Sequence, residues 1–268
     1  NKPHLKSLFY DVEMPLMFVL KNMENEGIAL DVPALSAFGK SVEKDLVRLT
    51  EEITKTAGET FNIDSPRQLG EILFDKLKIS SKAKKTKTGQ YATSEDVLVK
   101  HQKDHPIVES ILEYRQLKKL KSTYIDPLPE LCDIKDGRIH THFMQTVTAT
   151  GRLSSNNPNL QNIPIRSAMG REIRKAFVAK NKDHQLMAVD YSQIELRIIA
   201  ALSEDKAMID AFSKGIDIHT STAAKVFKTP VNEVSREQRS KAKAVNFGII
   251  YGQSAFGLSQ NLSIPRKE

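Results

Sequence analysis

The chain has 268 residues, 40% of them hydrophobic, and a formal net charge of +7, which places it among globular proteins with room for two or three subdomains. Its single cysteine, Cys132, excludes an intrachain disulfide and a thiolate zinc centre and fits a reducing, cytoplasmic setting. No run reaches the roughly 20 apolar residues of a membrane helix, and the charged opening NKPHLKSLFYDVEMPLMFVL lacks a signal-peptide pattern, so no membrane partner is expected.

Val12, Leu16, Val19, Leu20 and Met23 recur at helical spacing and predict a helix over 9–26. GIALDVP follows as a short strand and turn, with Gly27 as the stop and Pro33 opening the next helix. Leu35, Phe38, Val42, Leu46, Leu49 and Ile53 then return every three or four residues, which predicts a long amphipathic helix. In SPRQLGEILFDKL, Ser65 caps, Pro66 suits the first turn and Gln68 completes a capping box. SKAKKTKTGQY crowds Lys82, Lys84, Lys85 and Lys87 into a polar loop, readable either as a solvated surface or as a phosphate grip. Thr93 or Ser94 opens another helix, and residues 105–125 form one more with a basic end at Arg115, Lys118, Lys119 and Lys121. From about residue 137 the pattern changes: GRIHTHFMQT is β-like and SSNNPNLQNIP is a polar loop. A helical part therefore precedes an α+β part.

Three stretches carry chemistry. LMAVDY, residues 186–191, is an apolar run ending in Asp190, and SQIELRIIAALSED turns helical at once. A carboxylate at the end of a buried strand suits a hard divalent cation, while the same aspartate could simply cap the helix. Ser235 and Gln238 predict a second capping box, so a helix starts near 236 and runs through RSKAKAVNFGIIYG. On it Arg239, Lys243, Phe247 and Tyr251 are each four residues apart, and about 100° per residue makes them one slowly turning stripe. Cations lie toward the N-terminus and rings beyond them, the layout of a nucleoside triphosphate with its anionic tail and stackable base. The plainer alternative has the rings in a core and the cations in solvent. TATGRLSSNNPNLQNIPIR gathers Arg152, Asn159, Gln161, Asn162 and Arg166, hydrogen-bond donors suited to the minor-groove acceptors shared by every Watson–Crick pair.

These stretches resemble the family A DNA polymerases: the loop just quoted, VDYSQIELR (motif A) and RSKAKAVNFGIIYG (motif B) occur in the family's order and spacing, and YRQLKKLKSTYIDPLP agrees with its thumb. The resemblance covers essentially the whole chain. It implies a mostly helical α+β right-hand fold: an entry helix and strand over 1–31, a thumb over 32–125, a β-sheet palm over 126–193 with Asp190 on its central strand, and partial fingers over 194–268. It implies template-directed transfer of deoxynucleotides to a primer 3′ hydroxyl, in DNA replication or repair, with a two-metal Mg²⁺ centre. Asp190 and the Tyr191 carbonyl would be metal ligands, and Arg239, Lys243 and His219 would hold the triphosphate. Gln193 would line the nucleotide site, Phe247 would pack on sugar and base, and Tyr251 would close the site near the template base. Glu195 would exclude a ribose 2′ hydroxyl and bond Tyr251. Lys82, Lys84, Lys85, Lys87, Lys121, Arg152, Asn159, Gln161, Asn162 and Arg166 would contact primer-template DNA.

The resemblance also shows departures. The family's motif C, with the second catalytic aspartate, does not occur in these residues, so the chain by itself is expected to be inactive, as a non-catalytic DNA-binding fragment or one half of a split polymerase. No exonuclease domain is expected before residue 1; Asp11 and Glu13 lie in a helical pattern. Glu195 and Phe247 argue against a single-subunit RNA polymerase. A monomer is expected for the complete enzyme.

Overall fold

The computed structural model describes residues 3–165 and 167–262, and Arg166 lies outside them. The chain divides into two compact units, Asn1–Met187 and Ala188–Glu268.

In the first unit a helix at Pro3–Ser7 and a π-helical turn at Leu8–Glu13 lead into helix α1, Met14–Glu26. Gly27 ends it at φ +63°, where an added Cβ would stand 2.7 Å from the His140 ring and 2.8 Å from the Ile139 carbonyl, so glycine answers both the backbone and the space. The predicted helix forms, but of its apolar positions only Leu20 is buried. Val12, Val19 and Met23 stand about half exposed, because no described element covers them.

The long amphipathic helix is α2, Val32–Ala57. Asp31 caps it, accepting from the Ala34 N–H at 2.9 Å, and Gly58 closes it in the left-handed region at φ +72°. Its buried Leu35, Val42, Leu46, Leu49 and Ile53 form one core with Ile107, Val108, Ile111 and Leu117 of α4, Pro106–Leu120, and with Leu69 and Leu73 of the segment between. That segment is α3, Pro66–Gly70, running on as a π-helical turn through Lys76. Fully burying each such side chain contributes about 1.5–3 kcal/mol. Ser110 donates to Glu52 across α2 and α4 at 2.8 Å. Ser65 accepts from the Gln68 N–H, but the Gln68 side chain accepts from Asn62 N, so only half of the expected capping box forms.

β1, Ile28–Leu30, is the centre of a three-stranded antiparallel sheet. Its partners are β2, Arg138–Ile139, with Ile28 opposite Ile139, and β5, Phe177–Val178, with Leu30 opposite Phe177. A second pair joins β3, His142–Met144, to β4, Ser154–Asn156, and helix α5, Ala168–Lys175, leads into β5. SSNNPNLQNIP is therefore not all loop: β4 opens it and a 3₁₀ turn at Leu160–Asn162 follows. The lysine-rich loop also has order, with Lys85 bridged to Tyr91 and the Thr86 N–H donating to the Gln90 carbonyl at 2.7 Å.

The motif A run differs from expectation. Residues 186–191 form no strand, and Leu186, Met187 and Val189 are 58%, 86% and 81% exposed. An extended segment becomes a strand only against a partner ladder, and no described residue supplies one here.

The second unit is helical: α6, Ile194–Ser203; α7, Lys206–Ser213; α8, Ile218–Phe227; α9, Arg236–Ile250; and α10, Ala255–Leu262. A small core of Leu196, Ala211 and Ile218, with Met208, Phe212 and Ile250 against it, sets α6, α7, α8 and α9 around one centre. α9 begins with the complete capping box of Ser235 and Gln238.

Leu73 is fully buried in the larger core. Leu73→Ala should cost about 2–5 kcal/mol, read as a lower urea midpoint by circular dichroism, with little change for Val47→Ala at an exposed position of α2.

Candidate active site

In the second unit the predicted stripe exists. α9 carries Arg239, Lys243 and Phe247, and Tyr251 follows as its C-cap. Lys243 Nζ lies 6.0 Å from the Phe247 ring centroid, and the Phe247 and Tyr251 rings stack with centroids 6.2 Å apart and planes 14° from parallel. The side-by-side packing of α8 and α9 brings in His219, whose ring stands 5.7 Å from that of Phe247. Arg239, Lys243, His219, Phe247 and Tyr251 thus share one face.

His219 is 2% exposed. Burial, with Arg239 and Lys243 nearby, pushes its pKa below the usual imidazole range against the pull of Asp217. The Asn246 side-chain amide donates to Nδ1 at 3.1 Å, which leaves the proton of the neutral ring on Nε2. His219 is therefore a neutral donor, whereas Arg239 and Lys243 carry the positive charge.

Asp217 and Asn246 are site residues that the sequence reading passed over. Asp217 N-caps α8: its Oδ1 accepts from the Thr220 N–H at 2.8 Å and the Thr220 hydroxyl at 3.1 Å. Its Oδ2 accepts from Arg239 at 2.6 Å and from the Gln193 amide at 3.3 Å. Burial raises the carboxyl pKa, but the Arg239 bond and the two Thr220 bonds outweigh it and bring it down to about 2. The only sequence signal was the D-x-x-T capping pattern in IDIHTS, which marks a helix start and says nothing of Arg239. Gln193 sits in the left-handed region at φ +55°, a conformation costing on the order of 1 kcal/mol or more for a non-glycine residue.

Glu195 lies half-buried in the first turn of α6, and Tyr251 is 67% exposed. Asp190 and Tyr191 are exposed on the irregular segment before α6. Among the described residues no group of three or more His, Cys, Asp or Glu side chains could hold a metal ion. A hard divalent cation takes six or more oxygen ligands, so Asp190 and the Tyr191 carbonyl do not make a complete two-metal centre here.

In the first unit Lys82, Lys84, Lys85 and Lys87 are all exposed, and Lys85 lies over the Tyr91 ring at 4.7 Å. Lys121 differs: it pairs with Asp126 at 2.8 Å and Glu43 at 3.2 Å, and the Asp126 bond raises its pKa. Its charge is neutralised within the fold rather than offered outward. Arg152, Asn159, Gln161 and Asn162 are exposed. Part of their hydrogen bonding is spent locally: Asn159 Oδ1 accepts from the Gln161 N–H at 3.0 Å, and the Gln161 amide donates to the Leu153 carbonyl at 3.2 Å. Asn162 borders an open groove of about 1050 Å³, also lined by Gln116, Lys119, Thr123 and Tyr124.

Two histidines give the chain opposite pH responses. With its folded pKa below 6.5, His219 favours the unfolded state as pH falls through that value; His140, raised by its bond to the Glu24 carbonyl, stabilises at low pH and loses this as pH rises. His219→Gln should therefore lessen the loss of stability between pH 7.5 and 5.5, and His140→Gln should enlarge it, measured by urea midpoints. Asp217 stays ionised throughout that window.

The profile of "DNA polymerase family A" matches residues 32–268. The chain is 52% identical over 261 residues to DNA polymerase I of Bacillus subtilis (strain 168), covering 97% of this chain and 29% of that protein. It is 51% identical over 261 residues to the thermostable DNA polymerase I of Thermus aquaticus, covering 97% of this chain and 31% of the relative. The chain thus spans less than a third of the length of these relatives. Among solved structures it superposes with a TM-score of 0.87 and 42% identity on the "POL domain of Pol1 from M. smegmatis complex with DNA primer-template and dNTP", covering 97% of this chain and 46% of that one. The fold is accordingly the α+β polymerase fold, and the chain belongs to DNA polymerase family A.

Proposed function

We propose that this chain carries the nucleotide-binding side of a polymerase active centre and part of its primer-template track, for deoxynucleotide transfer to a primer 3′ hydroxyl in DNA replication or repair. The observation that carries the reading is the shared face of Arg239, Lys243, His219, Phe247 and Tyr251. Arg239 and Lys243 hold triphosphate oxygens through charge-assisted bonds, and His219 adds a neutral N–H. Phe247 packs on sugar and base, Tyr251 closes the site near the template base, Gln193 lines it and Glu195 crowds a 2′ hydroxyl. When bound, Mg²⁺ supplies activation of the attacking hydroxyl and neutralisation of phosphate charge, with Asp190 and the Tyr191 carbonyl among its ligands. The exposed lysines at 82–87 and the donors Arg152, Asn159, Gln161, Asn162 and Arg166 track the primer-template without reading sequence. In this division, residues 1–31 are an entry helix and strand, 32–125 the thumb, 126–193 part of the palm and 194–268 part of the fingers. The setting is cytoplasmic, and the complete enzyme works as a monomer.

The isolated chain binds nucleotide and duplex without extending a primer, because Asp190 and the Tyr191 carbonyl would not by themselves supply the ligands of a two-metal centre. A primer-template, Mg²⁺ and all four deoxynucleotides should give no extension, the same as with Asp190→Ala. Extension that Asp190→Ala abolishes would refute this.

A second reading, duplex binding without nucleotide recognition, draws on the net charge of +7 and the exposed lysines. The two separate on Lys243→Ala: loss of one charged hydrogen bond, worth about 1.5–3 kcal/mol, should weaken dATP binding roughly 10- to 100-fold. Under the second reading wild type would not bind dATP at all. Replacing Lys82, Lys84, Lys85 and Lys87 with Gln should flatten the salt dependence of duplex affinity by about 0.9 in log–log slope per lost phosphate contact and leave dATP affinity unchanged.

A further inference from the structure

One carboxylate in the second unit divides its two oxygens between two tasks. Asp217 Oδ1 receives both Thr220 bonds and so caps α8, which alone would explain an aspartate at this position. Oδ2 has no part in the cap. It accepts instead from Arg239 on α9 and from Gln193 at the entry to α6. Three elements distant in sequence therefore meet at one oxygen, and of the two side chains gathered there Arg239 belongs to the face described above.

We propose that Asp217 is a positioning residue that aims Arg239 and Gln193 at the triphosphate, an inference that rests on the nucleotide-binding reading. A guanidinium is a rigid planar fork with five N–H donors. Holding one Nη against Oδ2 fixes the plane of that fork and leaves its other donors to meet phosphate oxygens. An untethered arginine would have to be ordered when the nucleotide binds, at the cost of its rotamer freedom. Gln193 is similarly constrained from both ends, by its left-handed backbone and by its amide bond to Oδ2. With its pKa brought down to about 2, the carboxylate is ionised at neutral pH and can hold both donors there.

Positioning and simple electrostatics predict opposite effects for the same substitution. Asp217 adds a negative charge beside a site that binds a polyanion, so on charge alone its removal should tighten triphosphate binding. If Asp217 positions Arg239, its removal should weaken binding although the site becomes more positive. Asp217→Asn separates these outcomes without removing the cap, since Asn and Asp cap helices about equally. Its Oδ1 can still accept from Thr220, while an NH₂ group would replace Oδ2 and face two donors.

The test is titration of the full chain with dATP, inorganic tripolyphosphate and deoxyadenosine, for wild type and for Asp217→Asn, Asp217→Ser and Asp217→Glu. Ser also caps but is too short to reach Arg239. The expected result is about tenfold weaker binding of dATP and tripolyphosphate in both Asn and Ser variants. Deoxyadenosine affinity should stay near wild type while the urea midpoint falls modestly with the lost Arg239 and Gln193 bonds, and Glu, which keeps charge and both oxygens, should restore part of the loss. Unchanged or tighter triphosphate binding in the Asn variant overturns the positioning role while the nucleotide-binding reading stands. An equal loss of deoxyadenosine and triphosphate binding would make Asp217 structural and also overturn it. If wild type binds neither dATP nor tripolyphosphate, the nucleotide-binding reading fails, and the positioning role fails with it.

Discussion

The packing of α8 against α9 is the contact on which the second unit's chemistry depends. It sets His219 beside Phe247 and Asp217 within 2.6 Å of Arg239, although these partners are 28 and 22 residues apart in the chain. Helix α9 alone could present two cations and two rings in a line, since residues four apart lie one above the next. A line of charges on an isolated helix would leave Arg239 and Lys243 as loosely held arms. The neighbouring helix changes this: its capping aspartate tethers one cation and its buried imidazole stiffens the ring behind the other.

Electrostatics at this face are graded rather than uniformly positive. Asp217 offsets part of the Arg239 charge, and burial keeps His219 neutral. The face then carries the Lys243 charge, a partly offset Arg239 and one neutral donor. On the proposed nucleotide-binding reading, such an arrangement would recognise a polyanion by the direction of its donors as well as by attraction. In the first unit the same logic separates lysines that look alike in sequence. Lys121 is spent on Asp126 and Glu43, whereas the four lysines at 82–87 stand exposed on a small ordered turn. Both kinds lie in basic runs, and only the position of the carboxylates distinguishes them.

The apolar surface has a physical reading as well. α1 and the π-helical turn before it place Val12, Val19 and Met23 in the helical register expected of a buried face, and residues 186–189 are nearly as apolar, yet both stand exposed among the described residues. The long core of α2 and α4, in contrast, closes on itself, because both helices and the turn between them supply complementary apolar sides. The hydrophobic pattern predicts secondary structure from local spacing alone, but burial needs a partner surface.

Local physics was legible in the sequence. The helix α2, opened at Pro33 and periodic from Leu35 to Ile53, the capping box at Ser235 and Gln238, and the four-residue stripe on α9 each follow from backbone periodicity or hydrogen bonds within a few residues. These are short-range and survive any tertiary arrangement. Motif order carried the family as well. What only the tertiary structure decided is which groups meet across distant segments. The tie from Asp217 to Arg239 and Gln193, the neutral state of His219 and the neutralised Lys121 all depend on distances between residues that no sequence spacing encodes. The motif A run shows the same limit from the other side. Its composition is that of a strand, but a strand is a ladder shared by two segments, and a single stretch of sequence holds only one of them.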